Sequence, residues 1–217
     1  MENVTSSLVK IFADKSSSSD SKAMPALRRN SEAKAAIERY GTRTALLNTF
    51  HVAEQSRHAA SPERCITGAA PTLIAANEAY GEGTAEEWLM YQIVDFGEYV
   101  GARDKITTTQ LRQLCQLIVQ QYGWLKLTDL ELFFQRMKQG AYGRFYGAFD
   151  PQQFMQCFRP FLDERNIILT RKYEREDRER REHQFEGCIT IQEYRRRYPE
   201  RPDPLEFLNT KSETSPL

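Results

Sequence analysis

Three sets of residues in this chain have types and spacings that could do chemistry. The first is basic and aromatic. Arg136, Lys138 and Arg144 fall in or beside the run QGAYGRFYGAFDP, where Tyr142 and Tyr146 alternate with Gly140, Gly143 and Gly147, and Lys126 lies upstream of it. Cations offer charge to phosphates and a tyrosine ring stacks on a base, so Lys126, Arg136, Lys138, Tyr142, Arg144 and Tyr146 form the candidate nucleic-acid or partner contact. A plainer reading is that the glycines let the backbone turn while the rings fill the space between helices. Ring direction separates the two, because rings that point inward leave no platform.

The second set is His51, Glu54 and His58, spaced by three and four residues along a helix-prone stretch. Two imidazoles and a carboxylate on one face suggest a metal. Yet seven residues are about 10 Å of helix rise, too far for both histidines to reach one ion, and a solvated polar face is the expectation. The third set is the carboxylates Asp129, Glu131 and Asp150, whose places near helix starts account for them. All three histidines lie outside residues 69–166. No phosphate-binding glycine loop, dinucleotide fingerprint, nucleophile elbow or HExxH motif occurs. The sequence therefore predicts no catalytic residue, no metal, no cofactor and no enzyme.

Helices must position these groups. Thr107 and Gln110 read as a capping box before the stripe Leu111, Leu114, Cys115, Ile118 and Tyr122, with Gly123 as a left-handed stop. Thr128 with Glu131 opens the stripe Leu130, Phe133, Phe134 and Met137, stopped by Gly140. Asp150-Pro151 with Gln153 opens a third helix carrying Phe154, Cys157, Phe158 and Phe161. Thr84 with Glu87 and Thr190 with Glu193 cap two more, and Pro71 stands at a first helical position. No alternating strand pattern of useful length appears. The predicted class is all-α, a compact helical bundle with a flexible N-terminal leader and a projecting charged C-terminal helix.

The predicted organisation runs in five parts. Residues 1–29 are serine-rich and form a disordered leader, with Leu8, Ile11 and Phe12 as a short docking motif. Residues 30–62 form a helical hairpin whose apolar stripes are thin, so it packs loosely. Residues 69–166 are the core bundle, 167–186 a charged exposed helix laced by acid-before-base pairs, and 187–217 a short helix and disordered tail.

Composition narrows the function. The 30 basic and 30 acidic residues cancel, so binding to nucleic acid or membrane needs a local patch. Cysteines at 65, 115, 157 and 188 form no CxxC pair, a usage that fits a reducing cytosol. No apolar run reaches the length of a membrane span, and the first residues lack the basic-then-apolar order of a signal peptide.

The runs APTL, AYG, EEWL, FGEYVG and LKLTDLELFFQRMKQGAYGRFYGAFDP, followed by an aromatic helix, resemble a domain family of unknown function carried by phages and conjugative elements of anaerobic gut bacteria. The resemblance covers about residues 69–166, under half the chain. Pro160 departs from the pattern and puts the straightness of the third helix in question. The resemblance supplies no catalytic residues. It implies a mobile-element protein in a bacterial cytoplasm. The expected function is a non-catalytic accessory factor that binds a host or element protein in replication, transfer or regulation. The alternative is a nucleic-acid binder using the basic and aromatic loop around Arg144; no membrane is an expected partner.

Overall fold

Leu130, Phe133, Phe134 and Met137 predict one buried stripe, but the helix that bears them is buried on nearly every side. In the computed structural model, which describes residues 31–145, 147–184, 188 and 190–201, Leu127, Asp129, Glu131 and Leu132 are buried there as well. A helix apolar on all sides belongs at the centre of a domain. This is α8, Leu127–Lys138.

The other elements of the first unit, which runs to Thr170, pack around it. They are α1 (Ser31–Tyr40), α2 (Arg43–Thr49), a 3-10 turn (Val52–Glu54), α3 (Gln55–Ala59), α4 (Pro62–Thr67), α5 (Leu73–Tyr80), α6 (Thr84–Tyr99), α7 (Thr108–Tyr122) and α9 (Pro151–Gln156), followed by the start of α10 (Phe158–Gln184). The all-α class is observed. No strand occurs among the described residues, where isolated bridges join Thr72 to Lys126 and Asp104 to Ala148. No helix among them is long and apolar enough to cross a membrane. The leader at 1–29, with Leu8, Ile11 and Phe12, and the tail from residue 202 lie outside the described residues.

The core is aromatic. Phe133 stacks on Phe158 at 4.3 Å and meets Phe154 edge-on at 5.6 Å, while Phe96 touches Phe134, Phe149 and Phe154. Such offset and edge-to-face pairs add to the hydrophobic gain of burying large rings.

The expectation of a loosely packed hairpin over 30–62 is corrected. Leu46 and Phe50 are buried in the same core as Phe96 and Phe133. The Phe50 carbonyl accepts from the Trp88 indole N–H at 2.7 Å and the Gln92 amide at 3.1 Å. Gln55 donates to Gln92 at 2.8 Å, and the Lys138 ammonium donates to Gln55 at 2.8 Å. Two large side chains and a buried polar chain, rather than a wide apolar stripe, fasten this segment. Its first helix has its own small cluster, Ala33 and Ala36 against Ala79, with the Tyr80 hydroxyl donating to the Ala36 carbonyl at 2.9 Å.

The capping boxes fare unevenly. Thr107 and Gln110 form theirs reciprocally, at 3.0 and 3.3 Å. Thr128 does not cap α8: its hydroxyl donates to the Cys65 carbonyl at 2.6 Å, and Asp129 accepts from the Lys126 amide instead. Thr84 lies inside α6, where Gly83 takes the cap with φ of 87°. Thr72, not Pro71, is the boundary of α5, accepting from the Ala75 amide. Gly123 is not left-handed, having φ of −57°. It is glycine for space, since a Cβ there would stand 2.7 Å from Ile74 Cγ1. Gln153 completes no box; Asp150 accepts from the Gln152 amide at 2.8 Å. The third helix breaks at Cys157 into α9 and α10. Pro160 supplies the reason, because it has no N–H for the Gln156 carbonyl one turn back.

The second unit, Arg171–Leu217, contains the remainder of α10 and α11 (Ile191–Arg197). Lys172 pairs with Glu176 at 3.4 Å and Arg181 with Asp177 at 2.8 Å, the four-residue spacing of a solvated helix. Thr190 caps α11 by accepting from the Glu193 amide at 3.2 Å.

Candidate functional site

The basic and aromatic residues singled out in the sequence do not converge. The Lys126 ammonium donates to the carbonyls of Ile66 and Gly68 at 3.0 and 2.7 Å. Arg136 pairs with Glu164 at 2.9 Å, and Lys138 with Asp95 at 2.5 Å. The Tyr142 ring lies parallel to Phe133 at 6.0 Å, and its hydroxyl donates to Glu164 at 2.5 Å. Burial and then that bond push the Tyr142 phenol upward. Arg144 is exposed, and its carbonyl accepts from Gln153 at 3.0 Å. Tyr146 lies outside the described residues. Helical geometry alone disperses the cations, because Arg136 and Lys138 are about 200° apart around α8. The described phenylalanines of the loop turn inward: Phe145 meets Phe96 edge-on at 5.2 Å and Phe149 is buried. For Tyr142 the stacking platform is excluded by the same packing.

A different constellation forms instead. His51 caps the 3-10 turn, its Nδ1 accepting from the Ala53 amide at 3.2 Å. Glu54 pairs with Arg57 at 2.6 Å. His58 points elsewhere, to Glu131 on α8, with Nδ1 2.7 Å from Oε2. The reading of His58 as part of a solvated face, and of the core as lacking an imidazole, is therefore corrected. Glu131 has no exposed surface and no role at the helix start. The helix that brings His58 there is fixed by the Gln55 chain beside it. No group of three or more metal-ligating side chains is gathered among the described residues.

Burial pushes the Glu131 carboxyl up to about 8, with the charge of Glu54 adding and that of Arg57 opposing. Burial holds the His58 imidazole below its usual range, Arg57 adding and Glu54 opposing. Both shifts favour the uncharged forms, and in that state of the pair the carboxylic acid is the donor to Nδ1 and the ring proton belongs on Nε2. Asp129, also fully buried, is likewise pushed up by burial, against the opposing pull of Arg165 at 3.1 Å and the Lys126 amide.

His58 opens on a cleft of about 760 Å³ whose walls include Arg39, Arg57 and Arg64. Cys65 and Thr128 line it too, but both are spent structurally. The Cys65 thiol donates to the His58 carbonyl at 3.1 Å, and burial pushes it above its ordinary range. Sequence reasoning missed this site because His58 and Glu131 are 73 positions apart. The signal that was present is the isolated Glu131 inside the run LELFF, a charge amid core residues.

Residues 105–201 match a protein family of unknown function, DUF6633. That is under half of the 217 residues. It takes in α7 to α11 and the buried Glu131, whereas the helices carrying His58 and the three arginines precede it. No curated protein and no solved structure matches the chain.

Proposed function

We propose that the chain is a non-catalytic accessory factor that binds a protein, host- or element-encoded, in the replication, transfer or regulation of a mobile genetic element in a bacterial cytoplasm. The observation that carries this reading is the outward face of α7. In a chain with 28 % charged residues, α7 has a single charge, Arg112. Its exposed positions include Gln113, Gln116, Gln120 and Gln121 around Leu117, which is 44 % exposed. Beyond its end stand Trp124 and Ile74, 47 and 46 % exposed, with the Ile74 amide bonded to the Gly123 carbonyl at 3.0 Å. Few charges together with exposed aromatic and aliphatic groups are the composition of an interface core.

The absence of catalysis is supported by the cleft's own groups. The hydroxyl of Thr128 and the thiol of Cys65 are committed to backbone carbonyls, and the raised thiol is a poor nucleophile. The mobile-element setting rests on the resemblance of residues 69–166 alone.

Affinity capture with the full chain from its native host tests the proposal. Recovery of one stoichiometric protein that is lost with Leu117→Glu is expected. Recovery of nucleic acid alone, or of proteins indifferent to that substitution, would overturn it.

A further inference from the structure

We infer that the cleft bearing Arg39, Arg57 and Arg64 is a binding site for a phosphorylated small molecule with an organic part about the size of a nucleoside. The inference is separate from the protein-binding face of α7 and goes beyond it.

Charge is the first reason. The chain is neutral overall, yet three guanidinium groups line this one cleft and no carboxylate does among the described residues. Glu54, which pairs with Arg57, is not on the wall. Glu131 stands behind His58 and is fully buried. Arg39 and Arg64 therefore have no acid facing them across the cleft among the described residues, and the partner of Arg57 lies off the wall. Arg39 is steadied by a bond to the Ala69 carbonyl at 3.3 Å, and Arg64 is exposed and in no ion pair among the described residues.

Donor geometry is the second. The wall carries arginine rather than lysine, and the planar guanidinium fork matches the oxygens of a phosphoryl group. Because Nδ1 of His58 is taken by Glu131, Nε2 is the nitrogen left to the cleft. A proton lies on Nε2 both when the pair is neutral and when it is an ion pair, so His58 presents a donor in either state.

Size is the third. About 760 Å³ falls within the range of small-molecule sites, roughly 300–1,000 Å³, and exceeds what a lone phosphate fills. The rings of Tyr40 and Phe50, edge-to-face at 5.4 Å, supply an apolar wall for the organic part.

Titration calorimetry on the full chain, without added metal and in about 100 mM salt, tests this with pyrophosphate and adenosine triphosphate as probes. Both are expected to bind, the nucleotide more tightly. Arg64→Ala and Arg57→Ala are each expected to weaken binding by about tenfold or more while leaving the melting temperature unchanged. Arg112→Ala, on α7, is expected to change nothing. The inference is overturned if neither probe binds at millimolar concentration, if Arg112→Ala weakens binding as much as Arg64→Ala, or if only a single-stranded oligonucleotide binds.

Discussion

Glu131 and His58 show how one contact decides the chemistry of a residue. A glutamate three positions after a threonine looks the same in sequence whether it completes a capping box or enters the core. Here Thr128 turns to the Cys65 carbonyl, and Glu131 meets a histidine from a distant helix. The raised carboxyl keeps its proton in the folded state over a range where the unfolded chain has lost it. Its contribution to stability is therefore full below the ordinary carboxylate range and falls as pH rises toward about 8. The lowered imidazole acts in the opposite sense, contributing above its ordinary range and losing that contribution as pH falls below it. The two slopes oppose one another in mild acid, and above about pH 6.5 the imidazole no longer offsets the fall from Glu131, to which the raised Asp129 carboxyl adds in the same sense. The buried thiols of Cys65, Cys115 and Cys157 are also raised, but they add a fall only above the ordinary thiol range. Chemical denaturation of the wild type is expected to show a loss of about 2 kcal/mol between roughly pH 6.5 and 8.5. Glu131→Gln is expected to flatten that fall, and a variant with the wild-type slope would refute the neutral pair.

At the scale of elements, local grammar was readable and long-range fastening was not. The reciprocal bonds of Thr107 and Gln110, and the left-handed Gly140 with φ of 76°, follow from a few neighbouring residues. So does the break at Cys157, from Pro160 three positions onward. Gly123 does not, because it depends on Ile74 lying against it. The segment 31–67 has thin stripes because its hold is carried by Phe50 and by polar bonds that periodicity does not count, Gln92 of α6 to Phe50 and Gln55, and Lys138 and Glu131 of α8 to Gln55 and His58. Phe50→Ala is expected to cost about 3–5 kcal/mol, read as a lowered denaturation midpoint. A chain beginning at residue 69 would lack Leu46, Phe50, Cys65 and Ile66 from the core and leave Glu131 without His58. It is expected to lose cooperative thermal unfolding, whereas a chain beginning at residue 31 keeps it. A cooperative melt from the shorter chain would show that residues 31–67 are dispensable.

At the scale of the whole chain, a net charge of zero conceals two departures from even mixing. Three arginines and no carboxylate among the described residues line one cleft, and α7 bears almost no charge. Neither was legible as a site. The arginines come from separate helices, and the glutamines of α7 read as an ordinary polar face. The cations that did stand out in sequence, Lys126, Arg136 and Lys138, are occupied by carbonyls and carboxylates. Salt-steep nucleic-acid binding through them would require breaking those pairs, so Arg144→Ala is expected to leave any residual oligonucleotide affinity within about twofold. Anisotropy titrations at two salt concentrations read that difference. The most direct measurement is hydrogen exchange on the full chain, alone and with its captured protein partner. Slowed exchange along residues 108–124 and beside Ile74 is the expected result; slowed exchange confined to residues 139–150, with α7 unchanged, would contradict the account.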